Sequence, residues 1–499
     1  MDLPQLLPED VLADILRRVA PRGLAVCRCA CKALRASIDA SGLLRPDLLP
    51  LAVGGIFINF RGTLLSEFFA RPSAGPAISG RFDYLPRPDE YPESLDCCSI
   101  VDHCNGLLLL DVHEDHYYVV NPATRQWDAL PTRPSMFKEA DPGFAYQWYL
   151  VFDPTLSPHY KVFLIPHPRY KRKTVGYTLG WREYNISDSE DEVDPAMEES
   201  EWPPSMCALH IFSSRSGCWE ERSFIRQGKA AGTIADMRSS DLYERRYAVY
   251  HGGALYVHCK TDFIMRIYLT NDTYEVIKSP MDGELIECRK FRLGRSEKGV
   301  SLASLCPFGW FASTSNKYRL QVWVLEESGG HTNWVLKHNN CLRRIMPDDR
   351  PVLGSWVLQD INCNEYLKEY KKCNISPDEY VEQLLERKFE LMNTAKKTLL
   401  EATVEWDSEN DDILDNEYMV GGCHDGHMYI LGFHPYKEVI FLNVSSYRGL
   451  AYHLKDSKVQ DLGYLYPTSY HITSKYEQFI TESFTYTPCW TGHPEGTRM

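Results

Sequence analysis

CNGLLLLDVHEDHYYVVNPATRQWDALP, residues Cys104–Pro131, decides how the rest of the chain is read. Gly106 opens an apolar run, Leu107 to Leu110. A second run, Tyr117 to Val120, follows after the polar HEDH. Asn121-Pro122 then makes a turn, since proline presets φ for the second turn position. Trp127 begins a closing strand. Aromatic and β-branched runs bounded by Gly, Asn, Asp and Pro are strand chemistry.

The unit recurs. Tyr149–Pro166 and Leu209–Ser223 supply two strands each and form a second, split copy. GGALYVHCK, from Gly252, begins a third that ends at Pro280. A fourth runs from Gly299 through LQVWVLEES to NWVLKH, ending at His338, and a fifth opens at Gly421. The closing aromatics Trp219, Tyr274 and Trp334 lie 55 and 60 residues apart. About four strands per unit at that period predict propeller blades, each leaving apolar faces that only its neighbours can cover. GGIFINF, from Gly54, and YHITSKYEQF, from Tyr470, are expected to supply terminal strands of a last blade. The expectation is a β-propeller of about six blades, or seven; stacked sandwiches are the alternative.

The first forty or so residues read differently. LPEDVLADILRRV, Leu7–Val19, carries an apolar stripe at Val11, Leu12, Ile15, Leu16 and Val19. A second stripe, Leu24, Cys27, Cys31, Leu34 and Ile38, keeps one helical face by steps of three and four. Pro21 and Gly23 mark the turn between them. Helices this short are marginal alone, and a fragment of this size rarely holds a full core, so part of the apolar surface must meet something else. Packing on the chain's own β region is the plain alternative.

Leu7-Pro8-Glu9-Asp10, then Leu12, Ile15 and Leu16, then Cys29-Ala30-Cys31-Lys32, resemble an F-box. The segment departs from that pattern at Cys27, where a Phe is common, at Leu34, where a Trp is common, and in a turn about one residue short. NGLLLL with VVNPATRQWDALP, FDPTLSPHYKVFLIP and LHIFSSRSGCWEERSF resemble the Kelch-like, F-box-associated region of plant F-box proteins. The resemblance implies a multidomain α plus all-β chain, with an F-box at 1–46 and a propeller-like region at 47–499. It implies docking on a Skp-type adaptor through Leu7, Pro8, Val11, Leu12, Ile15, Leu16, Leu24, Cys31 and Leu34. Through the adaptor it implies a cullin ligase, with an unknown protein target held on the propeller. Such a protein works by proximity, not by chemistry of its own.

Net charge is −14, and two stretches hold the excess. Ser187–Pro204 carries eight acids and Glu405–Glu417 seven, with no Lys or Arg in either. Both are expected to be solvated, mobile insertions. The second belongs to a longer helical and acidic insertion, 360–417. Within it SPDEYVEQLLERKFELM, Ser376–Met392, has Ser376 as N-cap, Pro377 at the first helical position and Glu379 in the capping-box place.

No secretory signal opens the sequence, because Asp14, Arg17 and Arg18 interrupt the first apolar run. No apolar stretch reaches membrane-spanning length. The sixteen Cys show no regular spacing. The chain is therefore expected in cytoplasm, nucleus or both, with reduced thiols. No phosphate loop or nucleophile elbow is present. HEDH at His113–His116 and CHDGH at Cys423–His427 read as turns between strands rather than metal ligands. Cys27, Cys29 and Cys31 lack zinc-finger spacing. RYKRK, Arg169–Lys173, is one short basic run in an acidic chain, a weak footprint for nucleic acid. Neither cofactor, metal, nucleic acid nor membrane is expected. The competing function, a propeller hydrolase or oxidase, has no carboxylate-pair or ligand motif behind it. A propeller binding module acting outside a ligase is the remaining alternative.

Overall fold

The computed structural model describes residues 9–19, 24, 27, 32–41, 43, 52–72, 78–86, 98–113, 116–132, 143–169, 194–238, 247–259, 263–280, 290–307, 317–328, 331–343, 355–372, 428–444, 447–470 and 479–490. It has few helices and is mostly β-sheet. Two N-terminal helices, α1 (Glu9–Arg17) and α2 (Lys32–Ala40), pack together.

Antiparallel sheets built in chain order follow. β3 (Ser99–Cys104), β4 (Leu107–His113), β5 (His116–Asn121) and β6 (Gln126–Ala129) form the first complete one. β7 (Phe144–Val151), β8 (Lys161–Pro168), β10 (Met206–Ser213) and β11 (Cys218–Gln227) form the next. β13 (Ala248–His251), β14 (Ala254–Cys259), β15 (Phe263–Tyr268) and β16 (Thr273–Lys278) follow it. A short parallel ladder, Ile225 to Gln227 against Thr273 to Glu275, joins these two sets into one eight-stranded sheet. β17 (Lys290–Ser296), β18 (Gly299–Pro307), β19 (Lys317–Ser328) and β20 (His331–Arg343) make a further four-stranded sheet. So do β22 (Met428–Phe433), β23 (Val439–Val444), β24 (Arg448–His453) and β25 (Val459–Tyr464).

One more sheet joins the two ends of the β region. β26 (Ile480–Tyr486) pairs with β1 (Gly55–Phe60), β1 with β2 (Glu67–Ala70), and β2 with β21 (Val357–Leu358). The terminal strand thus lies downstream of YHITSKYEQF. Tyr470 is buried beside Thr468 and Ser469, and 471–478 fall outside the described residues.

Apolar clusters fill the spaces between successive sheets. Leu109 and Val119 meet Leu150 and Val162; Phe163 and Ile165 meet Leu255 and Met265; Tyr256 and Ile264 meet Leu293 and Leu302. Leu305 and Leu320 meet Ile440 and Leu442, and Phe441 and Leu462 meet Ile56 and Phe69. Phe57 and Phe484 meet Leu108 and Val120, which returns to the first sheet. Each sheet is therefore buried on both faces by its neighbours.

The repeat is real, but its phase differs from the expected one. In the units read from Cys104, Tyr149, Gly252 and Gly299, the glycines of three mark the turn after a first strand, not the start of the unit. Asn105-Gly106 (φ 45° and 91°) and Gly252-Gly253 (59° and 80°) both need the left-handed region, as two-residue hairpin loops of the primed type do. β3, β13 and β17 precede those turns and were missed, as was β25 in the last unit. A second left-handed position stands two residues before the expected aromatic: Arg125, Gly217 and Asp272.

The acidic stretch 187–204 is corrected in part. Residues 194–204 are built into the fold, and 187–193 lie outside the described residues. Asp194 caps α3 (Pro195–Glu198) by accepting from the Ala196 N–H. Trp202, on β9 (Glu201–Trp202), is buried with Ile234 and Met237 of α4 (Ile234–Arg238). β9 pairs with β12 (Gly232–Thr233). Glu198 meets buried Arg238 and Glu201 meets Arg226, so these acids are ordered by caps and ion pairs. The stretch 405–417 and the helix expected at 376–392 lie outside the described residues, whereas α5 (Ile361–Lys372) opens the longer insertion.

Candidate functional site

α1 divides its apolar stripe. Leu12 and Leu16 are 7% and 3% exposed and pack with Leu24 and Ile38, with Val19, Cys27, Leu34 and Leu43 around them. Val11 and Ile15, one position earlier in each turn, are 42% and 48% exposed. The first pair faces α2 and the second faces away. Of the residues expected to dock, Leu12, Leu16 and Leu24 therefore hold the helical module together, Leu34 borders its core, and Val11 and Ile15 project from it. Leu7, Pro8 and Cys31 lie outside the described residues.

Residues 5–45 match the F-box domain family. The N-terminal helices are an F-box domain. A protein of Arabidopsis thaliana that bears the name of an F-box protein is 27% identical over 149 residues. The match covers 29% of this chain and 38% of that plant relative, well under half the relative's length.

The connections of the β region differ sharply between its two ends. In an up-and-down sheet, the first-to-second and third-to-fourth connections share one end. Five of them have two to four residues, Asn105-Gly106, Pro122 to Arg125, Ser214 to Gly217, Gly252-Gly253 and Leu269 to Asp272, while Phe152 to Tyr160, between β7 and β8, has nine. At the other end the successive described strands stand farther apart in sequence: Ala129 to Phe144, Pro168 to Met206, Gln227 to Ala248, Lys278 to Lys290, Pro307 to Lys317 and Tyr464 to Ile480. That end also carries α5, whose first turn is anchored there. Glu67 accepts from the Ile361 N–H at 2.7 Å and the Asn362 N–H at 2.9 Å. Burial, with Asp360 adding to it, pushes the Glu67 carboxyl up to about 7.

At this loop-rich end a cavity of about 390 Å³ opens among β1, β3, β7 and β26. Asp102, Asp111 and Glu482 supply its carboxylates, and Tyr117, Tyr146 and Trp148 are among the seven aromatic residues of its described lining. No Lys, Arg or His is among its described lining residues. The Asp102 carboxylate accepts the Leu150 N–H at 2.7 Å, which ties β3 to β7. Asn59 Nδ2 donates to Glu482 and to the Ile100 carbonyl, both at 2.8 Å, and Ser66 Oγ donates to Asn59. Tyr117 and Trp148 stack with centroids 3.9 Å apart. Deeper in, Arg292 is fully buried; its guanidinium lies over the Tyr247 ring at 3.7 Å and donates to the Ser483 carbonyl. Burial lowers its pKa and, with Arg292 nearby, holds His103 down at about 4.

Sequence reading found none of these cavity residues. For Asp102 and Glu482 the signal lies in the innermost strand of the sheet, where a polar residue breaks the apolar run; Asp111 and Tyr117 lie on β4 and β5. His113 and His116 pair across the β4–β5 turn, as expected of a turn. Cys27 belongs to the helical core. Arg169 bonds the Phe144 carbonyl, while 170–173 and 423–427 lie outside the described residues. Among the described residues, no helix is long and apolar enough to cross a membrane.

Proposed function

We propose that this chain is the substrate-recognition subunit of a Skp-cullin-F-box ubiquitin ligase. Its F-box holds a Skp-type adaptor, and its β region, read as a six-bladed propeller, holds the protein to be ubiquitinated. The observation that carries the reading is the F-box match over 5–45 together with the exposed Val11 and Ile15 on α1. Apolar side chains left outward on a nine-residue helix are the surface that a partner would cover.

The propeller reading is supported by six sets of four strands, by apolar clusters between each successive pair, and by β26 closing on β1. The target is assigned to the end that bears the long connections, because binding residues concentrate on loops held by a rigid scaffold. The ligase acts by proximity: the chain raises the local concentration of target beside the catalytic module. The chain is thus read as a non-enzymatic adaptor of cytoplasm or nucleus.

The test is co-purification. Full-length chain should recover a plant Skp-type adaptor and cullin, and the chain lacking 1–46 should recover neither while keeping its β circular dichroism. Equal recovery by both would sink the reading.

A further inference from the structure

We propose that the cavity at the loop-rich end binds a neutral sugar ring carried by the bound protein. This rests on the reading of that end as the target-binding one. The carboxylates there do not call for a cation, because the chain already engages them. Asp102 accepts the Leu150 N–H and has Arg292 nearby, and Glu482 accepts from Asn59. A carboxylate that accepts one or two internal bonds keeps lone pairs for further donors. Two donors stand beside these acceptors. Gln147 takes the Tyr149 hydroxyl on its amide oxygen, while its amide nitrogen makes no bond among the described residues. The exposed Ser99 hydroxyl makes none either. A fitting ligand must therefore both donate and accept. Hydroxyls do both, whereas an ammonium or guanidinium only donates and an ionised acid only accepts. An apolar ligand would bury the carboxylates and the Gln147 amide without partners.

The rings supply the second half of the fit. Tyr117, Tyr146 and Trp148 line the cavity, and each is half-buried. A sugar ring has hydroxyls on its rim and C–H groups on its faces. The rim suits the carboxylates, Gln147 and Ser99, and a C–H face suits the negative face of an aromatic ring. A volume of about 390 Å³ is that of a small-molecule site. The walls are preset rather than adaptable. The Leu150 N–H fixes Asp102, Asn59 fixes Glu482, and Tyr117 and Trp148 brace each other. Preset walls lower the ordering cost of binding.

The test is saturation-transfer NMR on full-length protein with glucose, galactose, mannose, xylose and N-acetylglucosamine, beside glucuronic acid and glucosamine as charged counterparts. On irradiation of aromatic protons, saturation should reach the C–H protons of at least one neutral sugar. That sugar should bind at least about tenfold more tightly than either charged one, and half-molar salt should leave its affinity within about twofold. Gln147→Glu keeps the acceptor for Tyr149 and removes the amide donor, so it should weaken binding about fivefold or more while the melting temperature stays within a few degrees. Serum albumin conjugated with the same sugar should be captured, and plain albumin should not. No binding of any neutral sugar, tighter binding of a charged one, or unchanged affinity in Gln147→Glu each overturns the proposal. Binding of free sugar without capture of the conjugate refutes the sugar's place on a target. Adaptor capture is scored on the same preparations. Protein that captures adaptor but ignores every sugar refutes the cavity's role and leaves the ligase reading standing.

Discussion

Glu67 shows how much one buried residue can report. It sits under the first turn of α5 with its carboxyl raised to about 7, chiefly by burial and then by Asp360. An acid whose folded pKa is raised holds its proton more tightly in the folded state. The stability it contributes is complete below its ordinary value and is lost as pH rises through about 7. His103 and His434 work the other way. Burial lowers them to about 4 and about 3, so their contribution falls as pH drops below the usual histidine value. Glu67→Gln isolates the first effect. The melting temperature of the variant relative to wild type should rise from pH 5 to about pH 7 and level off above it, and a flat difference would show that Glu67 keeps an ordinary pKa. Gly106 reports on closure. At φ +91° a Cβ there would lie 2.4 Å from the Cys489 Cβ, on the segment that follows the last strand. Gly106→Ala should cost at least about 1–3 kcal/mol in urea titration from the backbone alone.

At the scale of elements, the closing aromatics do more than fill space. Trp219 Nε1 donates to the Pro131 carbonyl, and Trp334 Nε1 to the Lys278 carbonyl, each at 3.0 Å. Each links the outer strand of one sheet to the chain leaving the outer strand of the sheet before it. Trp219→Phe keeps most of the ring area and removes the bond, so a loss near 1 kcal/mol is expected from the urea midpoint. α1 gives the contrasting case. Leu12→Ala and Leu16→Ala should each cost about 2–5 kcal/mol of local stability, seen as faster amide exchange across 9–41, because both leave cavities. Val11→Ser and Ile15→Ser should leave that exchange almost unchanged. These elements also show what the sequence could tell. GLLLL and the aromatics Trp127, Trp219, Tyr274 and Trp334 of four outer strands were legible because apolar alternation is a local signal. β3 and β17 were not, because Asp102, His103 and Arg292 are stabilised there by bonds from other sheets, which no local pattern records. The helical stripe was legible, but the division between Leu12 with Leu16 and Val11 with Ile15 was not. Both pairs have the same spacing, and only the position of α2 decides which is buried. The order of acids 194–204 was hidden for the same reason, since Arg226 and Arg238 are distant in sequence.

At the scale of the whole molecule, two candidate binding surfaces share one chain. The F-box presents Val11 and Ile15, and the β region presents a loop-rich end with a polar, aromatic cavity. The sheets have no shared core and depend on neighbours, so closure by β26 on β1 should govern the stability of all of them. Removal of residues 480–499 should convert one cooperative thermal transition into a broad one, and a retained sharp transition would refute that dependence. The account rests most heavily on adaptor docking through the outward face of α1. Calorimetric titration of a plant Skp-type adaptor into full-length protein tests it directly. Wild type should bind. Val11→Asp with Ile15→Asp should weaken binding by about a hundredfold or more with the melting curve unchanged, since two apolar contacts are exchanged for buried carboxylates. Undetectable binding by wild type, or equal affinity of wild type and the double variant, would contradict the account.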